Sequence, residues 1–265
     1  MSLGNGVIGI GGSAIVYAYD ETTVLKGYAV AHAGRVFNSR SDVEYSRRCL
    51  TVEYQVYQRL GEHKNIPKCY GWVVLGPEAK SLRLKWASKG NLRTFIETND
   101  SAQTPTSVRL AWAMDLAEGL AHLHSKRVYH CDLSCRNILL TGQNVVQICD
   151  FGGSGLDSDE SEGVEEPRYE LPLRGRTWEE RPYRVRDLFA LGSALYEIMA
   201  WQKPFAQLED DEVQKRFERE EFPDTSGIAC NEVIQNCWNE RYETAEETLF
   251  ALQAVVEKHK SAKPL

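Results

Sequence analysis

The chain has 265 residues, of which 42% are hydrophobic and 26% are charged, and its formal net charge is −7. This length and hydrophobic content suffice for a substantial core, whereas the acidic balance argues against a general nucleic-acid or anionic-membrane binder, which needs clustered Lys and Arg. The seven cysteines lack the paired spacings of zinc sites or secreted disulfide frameworks, and no apolar run approaches the roughly 20 residues that span a bilayer, so we expect a soluble cytoplasmic or nuclear protein.

The first third of the chain is patterned as strands around one helix. Short β-branched and aromatic runs are broken by glycines and by Asp20-Glu21, which indicates tight turns. Residues 27–42 are weakly patterned. The predicted elements are three strands within 7–26, a helix over 45–60, and two strands over 70–74 and 81–86 that are joined by a turn at 76–78. We therefore expect a small antiparallel sheet of five strands beside one main helix.

The rest of the chain, after Gly90, has mostly helical periodicity. The predicted helices cover 92–98, 107–125, 185–201, 211–220, 230–238 and 245–259. The change of pattern places a boundary between the two parts near 85–90. These patterns together predict an α+β fold with a strand-rich first part and a helical second part.

One motif, His130-Cys131-Asp132-Leu133-Ser134-Cys135-Arg136-Asn137, places a carboxylate and a carboxamide five residues apart, directly after a long predicted helix. A second carboxylate, Asp150, follows the strand-like run 145–149 and opens Asp150-Phe151-Gly152. Phosphoryl transfer needs one group that orients the attacking hydroxyl and accepts its proton, and further groups that hold a metal ion. The motif predicts Asp132 for the first role, and Asn137 and Asp150 for the metal.

Two features of the strand-rich part agree with phosphate chemistry. The segment Gly9-Ile10-Gly11-Gly12 lies between two predicted strands, where small residues let backbone N–H groups approach phosphates, although Ala14 stands where a third glycine is expected. Lys26 ends the third predicted strand and could bind the phosphates. The following helix offers Glu53 as its ion-pair partner, with Glu44 as a less well placed alternative.

On these motifs the chain resembles the eukaryotic protein kinase superfamily over essentially its whole length. The resemblance implies a bilobal fold in a single domain over 1–265, with an N-lobe over about 1–86, a C-lobe over about 87–265 and an activation segment over about 150–173. It also implies a monomer that binds ATP and Mg²⁺ and phosphorylates a protein or peptide. Two alternatives stay open: a pseudokinase that binds nucleotide or acts as a scaffold, and, more distantly, a small-molecule phosphotransferase.

The resemblance assigns further residues around the nucleotide. Leu84 takes the gatekeeper position, and the backbone of Lys85 and Ala87 is expected to contact adenine. The aspartate Asp187 resembles the one that braces the catalytic loop. The apolar side chains expected to sandwich the adenine are those of Val16, Val24 and Leu139.

The resemblance also has departures that bear on regulation. Most regulated kinases carry an arginine before the catalytic aspartate, where it binds a phosphate on the activation segment; here Cys131 stands in its place, so we expect phosphorylation not to be the on-switch. The family's Ala-Pro-Glu is replaced by Leu171-Pro172-Leu173. The position of the arginine that pairs with that glutamate holds approximately Ala245, which suggests that the pair was replaced as a unit.

Acceptor choice is the least determined part of the sequence. Ser134 stands where serine/threonine kinases generally place a lysine. The position of Arg136 resembles that of an arginine in tyrosine kinases, and its charge could reach the transferred phosphoryl group. We expect a serine/threonine kinase. The acidic stretch 157–166 contains no Lys or Arg, so its negative field would favour basic substrates.

Overall fold

The computed structural model describes residues 6–32, 35–38, 43–76, 79–157 and 161–261. The strands are β1 (Val7–Ile10), β2 (Ile15–Ala18), β3 (Thr23–Gly27), β4 (Ala29–His32), β5 (Arg35–Asn38), β6 (Cys69–Gly76), β7 (Ala79–Lys85), β8 (Val128–Tyr129), β9 (Ile138–Leu140), β10 (Val146–Ile148) and β11 (Gly155–Leu156). The helices are α1 (Val43–Leu60), α2 (Leu92–Thr98), α3 (Thr106–Ser125), α4 (Tyr183–Ala200), α5 (Asp210–Glu218), α6 (Asn231–Trp238) and α7 (Ala245–Ser261).

The N-lobe contains the predicted five-stranded antiparallel sheet, in the order β1-β2-β3-β7-β6. Its central strand β3 is buried along its whole length, so its residues show no alternation between apolar and polar types. The prediction missed a second hairpin, in which β4 pairs antiparallel with β5. Its stretch of sequence carries no clear period, and cross-strand hydrogen bonds define the hairpin instead. Of the predicted turn at 76–78, residues 77 and 78 lie outside the described ranges.

Helix α1 packs on this sheet through one face. Its buried residues recur every three or four positions, which is the period of an amphipathic helix. They are Ser46, Cys49, Leu50, Glu53, Val56, Tyr57 and Leu60. Glu53 is thus the acidic residue that the helix turns inward, whereas Glu44 is exposed in the first turn. The periodicity that forms the helix therefore also selects the carboxylate that reaches the interior.

The C-lobe is built around α4, which is buried from Arg186 to Met199. A helix that is buried on all sides belongs to the core, and here it packs against α3 and α6. The contact with α6 is close because Gly192 lacks a side chain: a Cβ built there would lie 2.7 Å from the Cβ of Cys237. Within the described ranges no helix has both the length and the apolar character needed to cross a membrane.

Two arginines that follow Leu171-Pro172-Leu173, the segment at the family's Ala-Pro-Glu position, form ion pairs with a glutamate after α6. Arg174 and Arg176 each place a guanidinium nitrogen 2.6 Å from Oε1 of Glu240, which follows α6. Ala245, at the start of α7, is buried and cannot form an ion pair. The structure therefore keeps an arginine–glutamate pair near this position with the two charges exchanged between the segments, which the sequence did not indicate.

We predict that Gly192→Ala lowers the free energy of unfolding by about 1–3 kcal/mol, because the added methyl group overpacks the contact between α4 and α6. Urea denaturation would measure the change. Gly76→Ala serves as the control, since a Cβ at that position meets no atom within 4 Å among the residues that the structure describes. Equal losses in the two variants would show that the close helix contact is not the cause.

Candidate active site

The loop that contains Asp132 lies between β8 and β9 and is held from below by α4. The carboxylate of Asp187, on α4, accepts hydrogen bonds of 2.8 Å from the backbone N–H groups of both His130 and Cys131, and it lies 2.9 Å from Nε2 of His124. Burial alone would raise the pKa of Asp187, but these neighbours hold it below its usual range. The backbone just before Asp132 is thereby fixed to the core helix.

The ring of His130 orients Asp132 from the other side. Its Nε2 lies 2.9 Å from the carbonyl oxygen of Cys149, and its Nδ1 accepts a hydrogen bond of 3.2 Å from the N–H of Asp132. Since a carbonyl oxygen only accepts, the proton of the neutral ring lies on Nε2. Burial lowers the pKa of His130, which favours that neutral form. The ring of Phe151 lies tilted against His130, and Tyr57 meets Phe151 edge to face, with centroid distances of 5.5 Å and 5.2 Å.

Asp132 has one engaged and one free carboxylate oxygen. The side-chain amide of Asn137 donates to the Asp132 carbonyl at 2.7 Å and to Oδ2 at 3.0 Å, while Oδ1 is buried without a hydrogen-bond partner in the part of the chain that the structure describes. Burial, with a further contribution from Asp150, raises the pKa of Asp132 to about 7, although Arg136 acts to lower it. A carboxylate that has one oxygen without a partner and a pKa near neutrality is suited to accept a proton from a hydroxyl group.

Lys26 joins three parts of the molecule. Its Nζ lies 2.7 Å from Oε2 of Glu53 on α1 and 2.7 Å from Oδ1 of Asp150. Burial acts to lower the pKa of Lys26, but the two carboxylates outweigh it and raise that pKa. Glu53 is 1% exposed, whereas the side chain of Asp150 is 42% exposed. The ammonium group therefore ties β3 and α1 to a carboxylate that solvent and ligands can reach.

The residues assigned to adenine lie on strands of both parts of the molecule. Val24 and Leu84 are cross-strand partners on β3 and β7, and both are buried. Val16, on β2, stands opposite Lys26 in the register. Leu139 forms an isolated bridge with Asn91, at the start of α2. The apolar side chains thus lie on β2, β3, β7 and β9.

The two backbone positions assigned to adenine differ in what they offer. The N–H of Lys85 donates to the carbonyl of Lys68 at 2.9 Å, so a ligand contact through Lys85 would use its carbonyl. The N–H of Ala87 donates no hydrogen bond within the described residues, although Ala87 is buried. A backbone donor that makes no hydrogen bond among the described residues fits a ligand that brings an acceptor, as an adenine ring does.

The glycine segment covers the end of β1, where Gly9 and Ile10 pair with Val16 and Ile15, and the start of the tight turn into β2. The N–H of Gly11 donates to the carbonyl of Ala14 at 2.8 Å, and Ala14 itself is buried. A Cβ built on Gly9 or Gly12 would meet no atom of the described residues within 4 Å. The turn therefore keeps open space beside its backbone, as a segment that covers phosphates requires.

The acidic stretch is largely paired rather than unneutralised. The structure describes four acidic residues of the stretch 157–166, and each of them lies near an arginine from another part of the fold. The pairs are Asp157 with Arg59 at 2.6 Å, Glu162 with Arg48 at 3.7 Å, Glu165 with Arg186 at 2.5 Å, and Glu166 with Arg136 at 2.7 Å. The partners are distant in sequence, and only the fold brings them together; the expected preference for basic substrates stays a prediction.

The sequence predicted neither the ion pair that Arg136 forms nor the buried hydrogen-bond network beside it. Arg136 pairs with Glu166. Below it, Glu197 of α4 lies 2.5 Å from Nε of Arg93 and accepts a hydrogen bond of 2.5 Å from the Tyr169 hydroxyl. Sequence reasoning missed the network of Arg93, Glu197 and Tyr169, since the three residues are far apart in the sequence and share no local motif.

Comparison with known proteins agrees with this geometry. A family model described as protein tyrosine and serine/threonine kinase matches residues 8–247. The megakaryocyte-associated tyrosine-protein kinase of Mus musculus is 29% identical over 223 residues, which cover 81% of this chain and 42% of that protein. The serine/threonine/tyrosine-protein kinase HT1 of Arabidopsis thaliana is 27% identical over 169 residues, with coverages of 62% and 43%. The chain thus spans less than half the length of these relatives.

We predict that Asp132→Asn stabilises the fold more at about pH 8 than at about pH 5. A carboxylate whose pKa rises from 3.8 to about 7 on folding costs stability as the pH climbs from the unfolded to the folded value. Its removal should therefore add about 1–3 kcal/mol to the free energy of unfolding at about pH 8, and less at about pH 5.

Urea denaturation at the two pH values would measure this difference. Asp211→Asn is the matched control, because Asp211 is exposed on α5 and its loss should bring no such gain. A gain from Asp132→Asn that is the same at both pH values would contradict the assignment of a raised pKa to Asp132.

Proposed function

The chain belongs to the family of protein tyrosine and serine/threonine kinases, and from this membership we propose that it transfers the γ-phosphate of ATP to a hydroxyl group of a protein substrate. The observation that carries the proposal is the free, buried Oδ1 of Asp132, set beside Asn137 in a loop that α4 holds in place. A binding module has no need for a carboxylate held in this state. We further propose that the two lobes act as one monomeric catalytic domain.

In the proposed reaction Asp132 orients the substrate hydroxyl and accepts its proton at Oδ1. Lys26 binds phosphate oxygens, and its two carboxylate partners hold its ammonium group in position. The glycine turn places backbone N–H groups next to the phosphates. Catalysis by these residues consists of positioning and electrostatic stabilisation.

Asn137 and Asp150 would hold Mg²⁺, which supplies positive charge to the phosphates when it is bound. Among the described residues no group of three or more His, Cys, Asp or Glu side chains is placed to hold a metal by itself. Magnesium is usually bound by one or two carboxylates together with substrate phosphates and water, so the donors present suit an ion that arrives with the nucleotide.

For the acceptor we propose serine or threonine. Arg136 stands where tyrosine kinases carry an arginine. Its side chain is 56% exposed and pairs with Glu166, so its charge already has a partner in the activation segment. The same pairing weakens the argument for basic substrates, since four acidic side chains of that segment already face arginines. Phosphoamino-acid analysis of a phosphorylated peptide library would identify the acceptor, and phosphotyrosine alone would contradict our proposal.

We predict that Asp132→Asn lowers the rate of phosphate transfer by about 10²–10⁴-fold, because the variant loses the proton acceptor. Lys26→Met should also be inactive, because the phosphates lose their cation and Asp150 loses its partner. Labelled ATP, Mg²⁺ and a mixed peptide library provide the assay. Asp211→Asn is the control, since that residue lies on an exposed helix face outside the site.

The wild type would have to exceed both variants for the proposal to stand. ATP binding without any transfer above the variants would instead support the pseudokinase alternative. Transfer to small hydroxyl compounds but to no peptide would support a small-molecule phosphotransferase.

A further inference from the structure

Cys131 allows the activation segment to lie directly against the catalytic loop. A Cβ built on Gly163 would fall 2.7 Å from the carbonyl oxygen of Cys131 and 2.9 Å from its Cβ. On the opposite side, a Cβ on Gly153 would fall 2.8 Å from the Cα of Gly163. Backbone therefore packs on backbone at the position from which an arginine side chain at residue 131 would extend.

A different arginine reaches the same place. Arg186, on α4, is 3% exposed and donates through Nη2 to the carbonyl oxygens of Gly163 at 2.9 Å and of Cys131 at 3.4 Å. Its next neighbour, Asp187, accepts the N–H of Cys131. Two consecutive residues of one core helix thus hold both polar backbone groups of the residue that precedes Asp132.

The charge of Arg186 is balanced by the activation segment itself. Glu165 is 4% exposed and receives Nε of Arg186 at 2.5 Å and Nη2 at 3.0 Å, which is a two-pronged ion pair. A buried guanidinium needs such a partner, because an unpaired charge in the interior is strongly unfavourable. A carboxylate also presents two oxygens to the guanidinium fork in a fixed geometry, as a phosphate does.

We propose that Glu165 is a built-in substitute for a phosphate on the activation segment. By neutralising and orienting Arg186, it fixes the backbone of Cys131 and thereby positions Asp132, so that phosphate transfer does not require phosphorylation of the segment. Glu165 and Arg186 are positioning residues in this scheme, and neither contacts the reacting groups. The inference rests on the proposed function, since it concerns how the same site is kept ready for reaction.

The decisive variant is Glu165→Gln, which keeps the shape of the side chain and removes its charge. We expect kcat to fall by about 10- to 100-fold, because a small displacement of a catalytic group has effects of that size, while KM for ATP stays unchanged. Glu162→Gln is the matched control: it removes a carboxylate from the same segment, but Glu162 is half exposed and lies 3.7 Å from its arginine. Its kcat should equal that of the wild type.

Phosphatase treatment is the second measurement. We expect the treated wild type to retain full activity, and a loss of activity would overturn the proposal. Unchanged kcat in Glu165→Gln would overturn it as well. Should that variant fail to fold, Arg186→Lys is measured in the same way, because lysine keeps the charge and loses the fork; unchanged kcat in that variant would equally overturn the proposal.

Failure of the proposed function would be recognised separately. If the wild type shows no transfer above Asp132→Asn, hydrogen exchange of the amides in residues 161–169 still tests the contact. We expect faster exchange in Glu165→Gln than in Glu162→Gln, since the segment loses its attachment to α4. Equal exchange in these two variants would overturn the role of Glu165 even though no catalysis is measured.

Discussion

The buried carboxylate of Asp187 accepts hydrogen bonds from the backbone N–H groups of His130 and Cys131, and the position of the loop that carries Asp132 depends on that interaction. Cys131 has a φ of 62°, a left-handed conformation that costs a non-glycine residue about 1–3 kcal/mol and persists only where its surroundings enforce it. Helix α4 enforces it because it is buried on all sides and cannot easily shift. The position of Asp132 is thus fixed by a helix at the centre of the C-lobe core.

The second link runs between the lobes. Lys26, on the central strand of the sheet, reaches both Glu53 and Asp150, so one ammonium group couples α1 to the start of the activation segment. The rings of Tyr57, Phe151 and His130 form a row of edge-to-face and tilted contacts alongside it. A displacement of α1 would disturb the ring contacts and the ion pair together, because packed rings and a buried ion pair tolerate little movement.

Features set by local sequence were predictable. The five-stranded sheet and the seven helices of the described residues follow from periodicity, and the proximity of Asp132 and Asn137 follows from their spacing of five positions within one loop. The partners of the acidic stretch were not predictable, since Glu165 meets Arg186 only after α4 has packed under the loop. The exchanged pair of Arg174 with Glu240 escaped for the same reason: composition does not show which distant charges a fold brings together.

The contact between Gly163 and Cys131 also limits which side chains this part of the molecule can carry. A Cβ at residue 163 would lie 2.7 Å from the Cys131 carbonyl oxygen and 2.9 Å from its Cβ, so a larger residue there must push the two segments apart. Because Arg186 and Glu165 join the same two segments, such a displacement would also disturb a buried ion pair. The mutational tolerance of residue 163 is therefore coupled to an ion pair two residues away.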